Sequence, residues 1–282
     1  MNGSPLRYPG GKAIMTNFIV ELFKKNNLTD IVYAEPYAGG AGAAINLLLK
    51  NSVNKILIND ANIGIFSFWY YVIKENSRFV DMIQGCEVSL REWHRWKDVF
   101  KTATKSSFEL GFATFFLTRT NRSGVLNAGP IGGVSAIQQE KAKYKIDCRY
   151  NRQNLAQKVK KIGTLADRIE VFNLDALDFL QLNNVRDNLF VYLDPPYFQQ
   201  GKSLYMDYYT QDNHRDLAFF LSQKAHFDWI LSYDNVYEIR QLYKDFPLYE
   251  FDLNYSVRTH RKGRELLLHS NSLSFPKKMS FK

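Results

Sequence analysis

The residues best suited to chemistry stand four in a row, Asp194-Pro195-Pro196-Tyr197, directly after the apolar run 189–193. Such a run reads as a buried strand, and the carboxyl end of a sheet strand is where open α/β folds bind ligands. Two prolines stop the strand and stiffen the turn, leaving the Pro195 carbonyl without a helix or sheet partner. An acidic acceptor, a fixed carbonyl and an aromatic face then converge. That set suits an exocyclic amine on a purine ring. Such an amine is a poor nucleophile because its lone pair is delocalised. Two acceptors on its N–H bonds favour a pyramidal nitrogen, whose lone pair can attack a sulfonium methyl in line. Tyr197 would stack on an extruded base. The protein's share is positioning and electrostatics, with no covalent intermediate and no metal.

The second pattern is Ala34-Glu35-Pro36-Tyr37-Ala38-Gly39-Gly40-Ala41-Gly42, after a strand and opening a helix. Its glycines let the backbone approach a ligand, and the helix N-terminus offers unpaired N–H groups. Asp60 ends the next strand about twenty residues on, the position that grips ribose hydroxyls in nucleoside-binding folds. Turn and acid together predict a nucleoside site. A phosphate-cradling GxxxxGK[ST] loop is absent, and Gly10-Gly11-Lys12 lacks both its leading Gly and its trailing Ser/Thr, which argues against a triphosphatase.

The elements that must hold these residues alternate as short apolar runs and longer helical patterns, the signal of a parallel α/β sheet. Strands are predicted at 31–35, 55–60, 168–173, 188–193, 228–232, 248–254 and 265–270. Helices are predicted at 12–25, 42–50, 175–182, 212–224 and 236–243. The last two strands leave no room for a helix between them, so they are predicted to form an antiparallel hairpin at a sheet edge. Between Asp60 and Arg168 the alternation breaks down. An aromatic helical pattern at 65–73 leads through basic, Ser/Thr-rich sequence to the glycine-rich run 123–133, as an inserted domain would.

Charge points to the same segment. Of a whole-chain formal charge of +9, residues 91–161 hold 15 Lys and Arg against 5 Asp and Glu, and 15 minus 5 leaves +10. A basic surface of this kind suits a polyanion. The two cysteines, Cys86 and Cys148, form no CxxC, which argues against a disulfide framework or structural zinc. Neither follows a proline, so the Pro-Cys thiolate needed for cytosine C5 chemistry is missing. Scattered histidines give no zinc spacing. His214 follows Asp212 at a helix start and is expected to cap it or touch DNA. Trp93 and Trp96, at helical spacing, are expected in the core. No apolar stretch is long enough to span a membrane and no signal peptide pattern opens the chain, so a cytoplasmic location is expected.

The order Pro5-Leu6-Arg7-Tyr8-Pro9-Gly10-Gly11-Lys12, then the glycine turn, a long insert, and Asp194–Tyr197 resembles the Dam-type (α-group) DNA adenine N6-methyltransferases. The likeness covers nearly the whole chain, since 192–197, His214, 229–235 and 264–271 also resemble family segments. It implies a Rossmann-like α/β sheet, mostly parallel with an antiparallel C-terminal edge hairpin, and an inserted, mainly helical target-recognition domain with a β-hairpin. Residues 1–64 and 155–282 would form the catalytic domain and 65–154 the insert.

The resemblance further implies S-adenosyl-L-methionine as cofactor and double-stranded DNA as partner. Tyr8 and Lys12 would line the cofactor pocket. Glu35, Pro36, Ala38, Gly39, Gly40 and Gly42 would hold the methionine portion, Asp60 the ribose and Asp175 the adenine. Asp175 could equally be a helix N-cap. Asp194, Pro195, Pro196 and Tyr197 would be catalytic, with Asp194 also facing the cofactor. Arg119, Asn121, Arg122 and Ser123, with Gly129-Pro130-Ile131-Gly132-Gly133, are similar to the hairpin that reads bases. The Asn-Gly and Asn-Val-Pro stretches of relatives that read GATC are missing. N4-cytosine or RNA amine methylation, and a DNA-binding regulator without turnover, remain as alternatives. A cognate restriction enzyme and the oligomeric state stay open.

Overall fold

Alternation within each central strand divides the side chains between two cores. In β1 (Val32–Glu35), Tyr33 packs on one face and Ala34 on the other; in β2 (Lys55–Asn59), Ile56 and Ile58 oppose Leu57. After β3 (Ile169–Phe172), the wholly buried β4 (Leu189–Leu193) sends Phe190 and Tyr192 one way and Val191 and Leu193 the other. Covering on both faces is why β4 and the middle of β2 carry no charged residue. The computed structural model describes residues 3–198, 209–254 and 262–276.

The strand order is β3-β2-β1-β4-β5-β7-β6, completed by β5 (Asp228–Asp234), β6 (Leu248–Asn254) and β7 (Lys262–His269). Neighbours from β3 through β5 are parallel, whereas β7 runs antiparallel to both β5 and β6. The expected C-terminal hairpin therefore sits at the edge, with β7 inward. Between β1 and β4 the strand order reverses direction, and a crevice opens there at the carboxyl ends. Glu35 ends β1 and Asp194 follows β4, so both acids flank that crevice.

Helices α1 (Met15–Lys25) and α2 (Gly42–Leu49) cover one face. The helix expected from residue 12 instead begins with a 3-10 turn, Lys12–Ile14, and becomes α-helical at Met15. The stretch between β2 and β3, which holds the insert expected at 65–154, consists of α3 (Ile63–Lys74), α4 (Asn76–Gly85), α5 (Leu90–Thr102), α6 (Phe108–Thr120), α7 (Ala136–Lys141) and α8 (Arg152–Gly163). Its aromatic rings, including Phe68, Phe79, Phe112 and Phe115, join the same hydrophobic cluster as Phe18, Ile45 and Tyr33. The insert thus has no separate core. Trp93 and Trp96 are buried on α5. The expected β-hairpin of the insert reduces to one antiparallel bridge, Asn121–Pro130, because glycines and Pro130 leave little regular strand.

On the opposite face lie α9 (Ala176–Asn183), α10 (Gln211–Gln223) and α11 (Tyr237–Leu242). Thr210, not Asp212 or His214, caps α10. His214 is buried with Nδ1 2.7 Å from the Tyr233 hydroxyl, so it neither caps nor reaches a DNA surface. Burial lowers its pKa to about 4.

Candidate active site

A cavity of about 280 Å³ opens at the reversal point. Every residue expected at the cofactor lines it: Tyr8, Lys12, Glu35, Pro36, Ala38, Gly39, Gly40, Gly42, Asp60, Asp175 and Asp194. Pro196 joins them, while Pro195 is buried and Tyr197 stands outside the lining.

The glycine turn is shaped by the segment before α1. A Cβ on Gly39 would come within 2.6 Å of the Tyr8 ring, and Gly39 itself holds φ +44°, so both space and backbone demand glycine. Asp60 braces the same turn. Its Oδ2 accepts from the Gly39 N–H at 2.8 Å and its Oδ1 from the Asn62 N–H at 2.9 Å. Glu35 Oε1 accepts from the Ala44 N–H in the first turn of α2 at 2.9 Å and from the Tyr33 hydroxyl at 3.0 Å. Burial pushes the Glu35 carboxyl up to about 8 against those two donors. Asp175 caps α9, its Oδ1 accepting from the Leu177 N–H at 2.8 Å, and still lines the cavity.

At the far wall Lys12 meets the Asp-Pro-Pro-Tyr turn. Its ammonium donates to Asp194 Oδ1 at 2.7 Å and to the Tyr197 hydroxyl at 3.0 Å. Burial alone would depress this ammonium, but Asp194, Tyr192 and Glu265 outweigh it and hold it above the usual lysine range. Ser232 also donates to Asp194 Oδ1, at 2.7 Å, and the Tyr197 hydroxyl donates to Glu265. Among the described residues, both Asp194 contacts fall on Oδ1. Chemically, that leaves Oδ2 to accept an incoming N–H.

The lining suits a cofactor carrying positive charge and hydroxyls. Four carboxyl-bearing residues, Glu35, Asp60, Asp175 and Asp194, face a cavity with one buried cation, and the turn accepts no side chain. Sequence reasoning missed Tyr37, Asn62, Tyr192, Tyr209 and Asn213 on the same walls. Asn62 had a usable signal, as the N-cap two residues past Asp60. Tyr192 reads only as a strand aromatic.

The insert places its four expected residues differently. Asn121 is fully buried; its Oδ1 accepts from Trp93 Nε1 at 2.7 Å and its Nδ2 donates to the Val125 and Leu126 carbonyls, both at 2.9 Å. Arg119, at the end of α6, donates through Nε to the Pro5 carbonyl at 2.6 Å. Burial and nearby Arg7 push its guanidinium down to about 10. The buried Lys97 ammonium donates to the Leu126 carbonyl at 2.6 Å. Ser123 is half-buried at φ +56°, and Arg122 is exposed. Lys141, Lys143, Lys145, Arg149 and Arg152 are exposed as well, and among the described residues none of them is ion-paired.

Comparison with known proteins fits this arrangement. Modification methylase StsI of Streptococcus sanguinis is 29% identical over 224 residues, which cover 73% of this chain and 31% of that protein. The chain therefore matches about a third of that relative's length. Type II methyltransferase M.MjaIII of Methanocaldococcus jannaschii is 24% identical over 226 residues, covering 75% of this chain and 74% of that protein. The model of one family matches residues 8–257, and the chain belongs to that family, the D12 class N6 adenine-specific DNA methyltransferases.

Proposed function

We propose that the protein transfers a methyl group from S-adenosyl-L-methionine to the N6 amine of an adenine extruded from double-stranded DNA. The observation that carries this reading is the single cavity bounded by the glycine turn, Asp60 and Asp194. Bound there, S-adenosyl-L-methionine supplies a methyl group on a positively charged sulfur.

Gly39 and Gly40 admit the methionine portion against backbone, and an ammonium beside Glu35 draws its carboxyl into the charged form. Asp60 accepts from the ribose hydroxyls, and Asp175 lies at the adenine end. Asp194, with Oδ1 anchored by Lys12 and Ser232, accepts one amine N–H on Oδ2 while the Pro195 carbonyl accepts the other. Tyr197 offers its ring to the flipped base. The proton lost from nitrogen after methyl transfer passes to Asp194 or to water at the open side.

DNA docking is assigned to the insert, 65–154, as a functional rather than separately folded unit. Its exposed cations between Lys141 and Arg152 suit phosphates, and Arg122 is the candidate base contact with Ser123 beside it. Arg119 and Asn121 hold the loop in place. The relatives' names favour a modification role beside a cognate restriction enzyme.

The test is direct. Purified protein is incubated with labelled S-adenosyl-L-methionine and mixed-sequence duplex DNA, and the DNA is digested to nucleosides. Label in N6-methyladenine is the expected result. Label in N4-methylcytosine, label only in an RNA substrate, or cofactor binding without transfer would overturn the reading.

A further inference from the structure

We propose that Glu265 is a positioning residue for this methyl transfer: it holds Tyr197 by its hydroxyl and, as the second carboxylate beside Lys12, keeps that ammonium on Asp194. The inference rests on the proposed function and deepens it, because no part of the mechanism above assigns Glu265 a task.

Glu265 lies on β7 opposite Asp234, at the head of the apolar run 266–268. Only 2% of it is exposed. A carboxyl group this deep is costly unless its oxygens are satisfied. Here Oε1 takes the Tyr197 hydroxyl, whereas Oε2 makes no hydrogen bond among the described residues. Among the described residues, the nearest cation to Oε2 is Lys12 Nζ, at 4.0 Å. A carboxyl group serving packing alone would be expected to have both oxygens bonded. This one is aimed at the ammonium that already holds Asp194.

The four groups form one connected chain. Lys12 donates to Asp194 and to the Tyr197 hydroxyl, and that hydroxyl donates onward to Glu265. Because it accepts on one side and donates on the other, the hydroxyl proton has a single direction, and the tip of the ring is pinned. A ring pinned at its tip presents a fixed face, which a stacking base needs before its amine can meet Asp194. The second carboxylate lies 4.0 Å from the Lys12 ammonium. Without it the ammonium would be free to leave Oδ1 and swing onto Oδ2, the Asp194 oxygen meant for the amine. Burial raises the Glu265 carboxyl to about 7, with Lys12 opposing.

The experiment uses the full chain and the variants E265Q, E265A, Y197F and E265A/Y197F. Thermal midpoints establish that each folds. E265A should lower kcat about a hundredfold, the cost of roughly an ångström of misplacement, with the dissociation constant for S-adenosyl-L-methionine within about twofold of wild type. E265Q retains a carbonyl for the Tyr197 hydroxyl and should recover about tenfold of that loss. On the Y197F background, E265A should cost far less than on wild type, since the two residues act through one contact. Additive losses, or a kcat that falls only in step with cofactor affinity, would overturn the proposal. If the wild-type protein methylates no DNA, the proposed function fails, and crystal structures of E265A then decide this inference alone. Tyr197 and Lys12 displaced from their places support it; both unmoved within about 0.5 Å overturns it.

Discussion

The crevice at the strand ends and the loop at the tip of the insert drew on the same kind of sequence clue, polar residues beside glycines, and folded to opposite outcomes. In the crevice, residues from six separate elements turn their polar atoms into one cavity. At the loop, Asn121 and Arg119 turn theirs onto carbonyls of the chain, and Arg122 alone of the four reaches solvent fully. The difference lies in what constrains each side chain. A carboxylate at the end of a parallel strand faces helix N-termini and a reversal of strand order, and as an acceptor it cannot be satisfied by a backbone carbonyl. An amide or guanidinium on a loop can satisfy a backbone carbonyl as well as a base edge, and the nearer acceptor wins.

The largest effect that could break this contrast is at Asp194. Asp194→Asn keeps the shape but offers a donor in place of an acceptor and removes the charge beside Lys12. Turnover should fall ~10²–10³-fold, the usual loss for one electrostatic contact to a reacting group, with cofactor affinity nearly unchanged. Label-transfer assays and calorimetry read the two quantities separately, and wild-type turnover in the variant would remove the crevice's claim to the chemistry.

Next comes Asn121→Ala. It strands Trp93 Nε1 and the carbonyls of Val125 and Leu126, and should cost ~1–3 kcal/mol of stability. Denaturant midpoints check this. Unchanged stability with lost sequence discrimination would mean that the amide leaves its internal partners to read DNA, and the contrast would collapse.

A comparable effect should follow from pH at the buried His214, behind the cavity wall that Tyr209 and Asn213 form. His214 titrates at about 4 in the folded protein against 6.5 for an ordinary histidine, because burial disfavours its charged form. The unfolded chain therefore takes up the proton first. Stability from this group is complete above pH 6.5 and is lost as pH falls towards 4, by ~1–3 kcal/mol in all. His214→Gln should flatten that acid limb in thermal melts between pH 7 and 4. An identical slope in the variant would show that the histidine stays neutral in both states or titrates in neither.

The smallest effect is expected from Arg122→Ala, ~1–3 kcal/mol confined to one base pair if the guanidinium reads a base, with stability and cofactor affinity untouched. Methylating a library of DNA sites and sequencing the products separates relaxed preference at one position from uniform weakening. No change in either would move base reading away from this loop.

How much was legible follows from which features are local. Gly39, Asp60 and the Pro195-Pro196 pair announce themselves because a positive φ, a strand-end acid and a stopped strand are written in a few adjacent residues. The apolar runs likewise announced a parallel sheet with its edge hairpin, since burial on both faces leaves no room for polar residues. Lys12 was legible as a pocket residue. Its bond to Asp194, 182 positions away, was not. Glu265 reads as one charge among several at the start of its strand, after Lys262 and Arg264, with nothing nearby in sequence to say what it meets. The hairpin at 119–133 was expected from its residue types, but those types are as well used in holding a loop to Pro5 and Leu126 as in touching DNA.

By itself, then, the sequence determined the strand-and-helix alternation, the glycine turn and the stiff acidic turn, because backbone conformation and burial pattern depend on neighbours along the chain. Only the tertiary structure decided that Lys12, Asp194, Tyr197 and Glu265 form one buried group, and that Asn121 and Arg119 serve the loop instead of a ligand. Hydrogen-bond partners are chosen by distance through space and by which carbonyl or carboxylate burial has left without water, and neither quantity exists until the chain has folded.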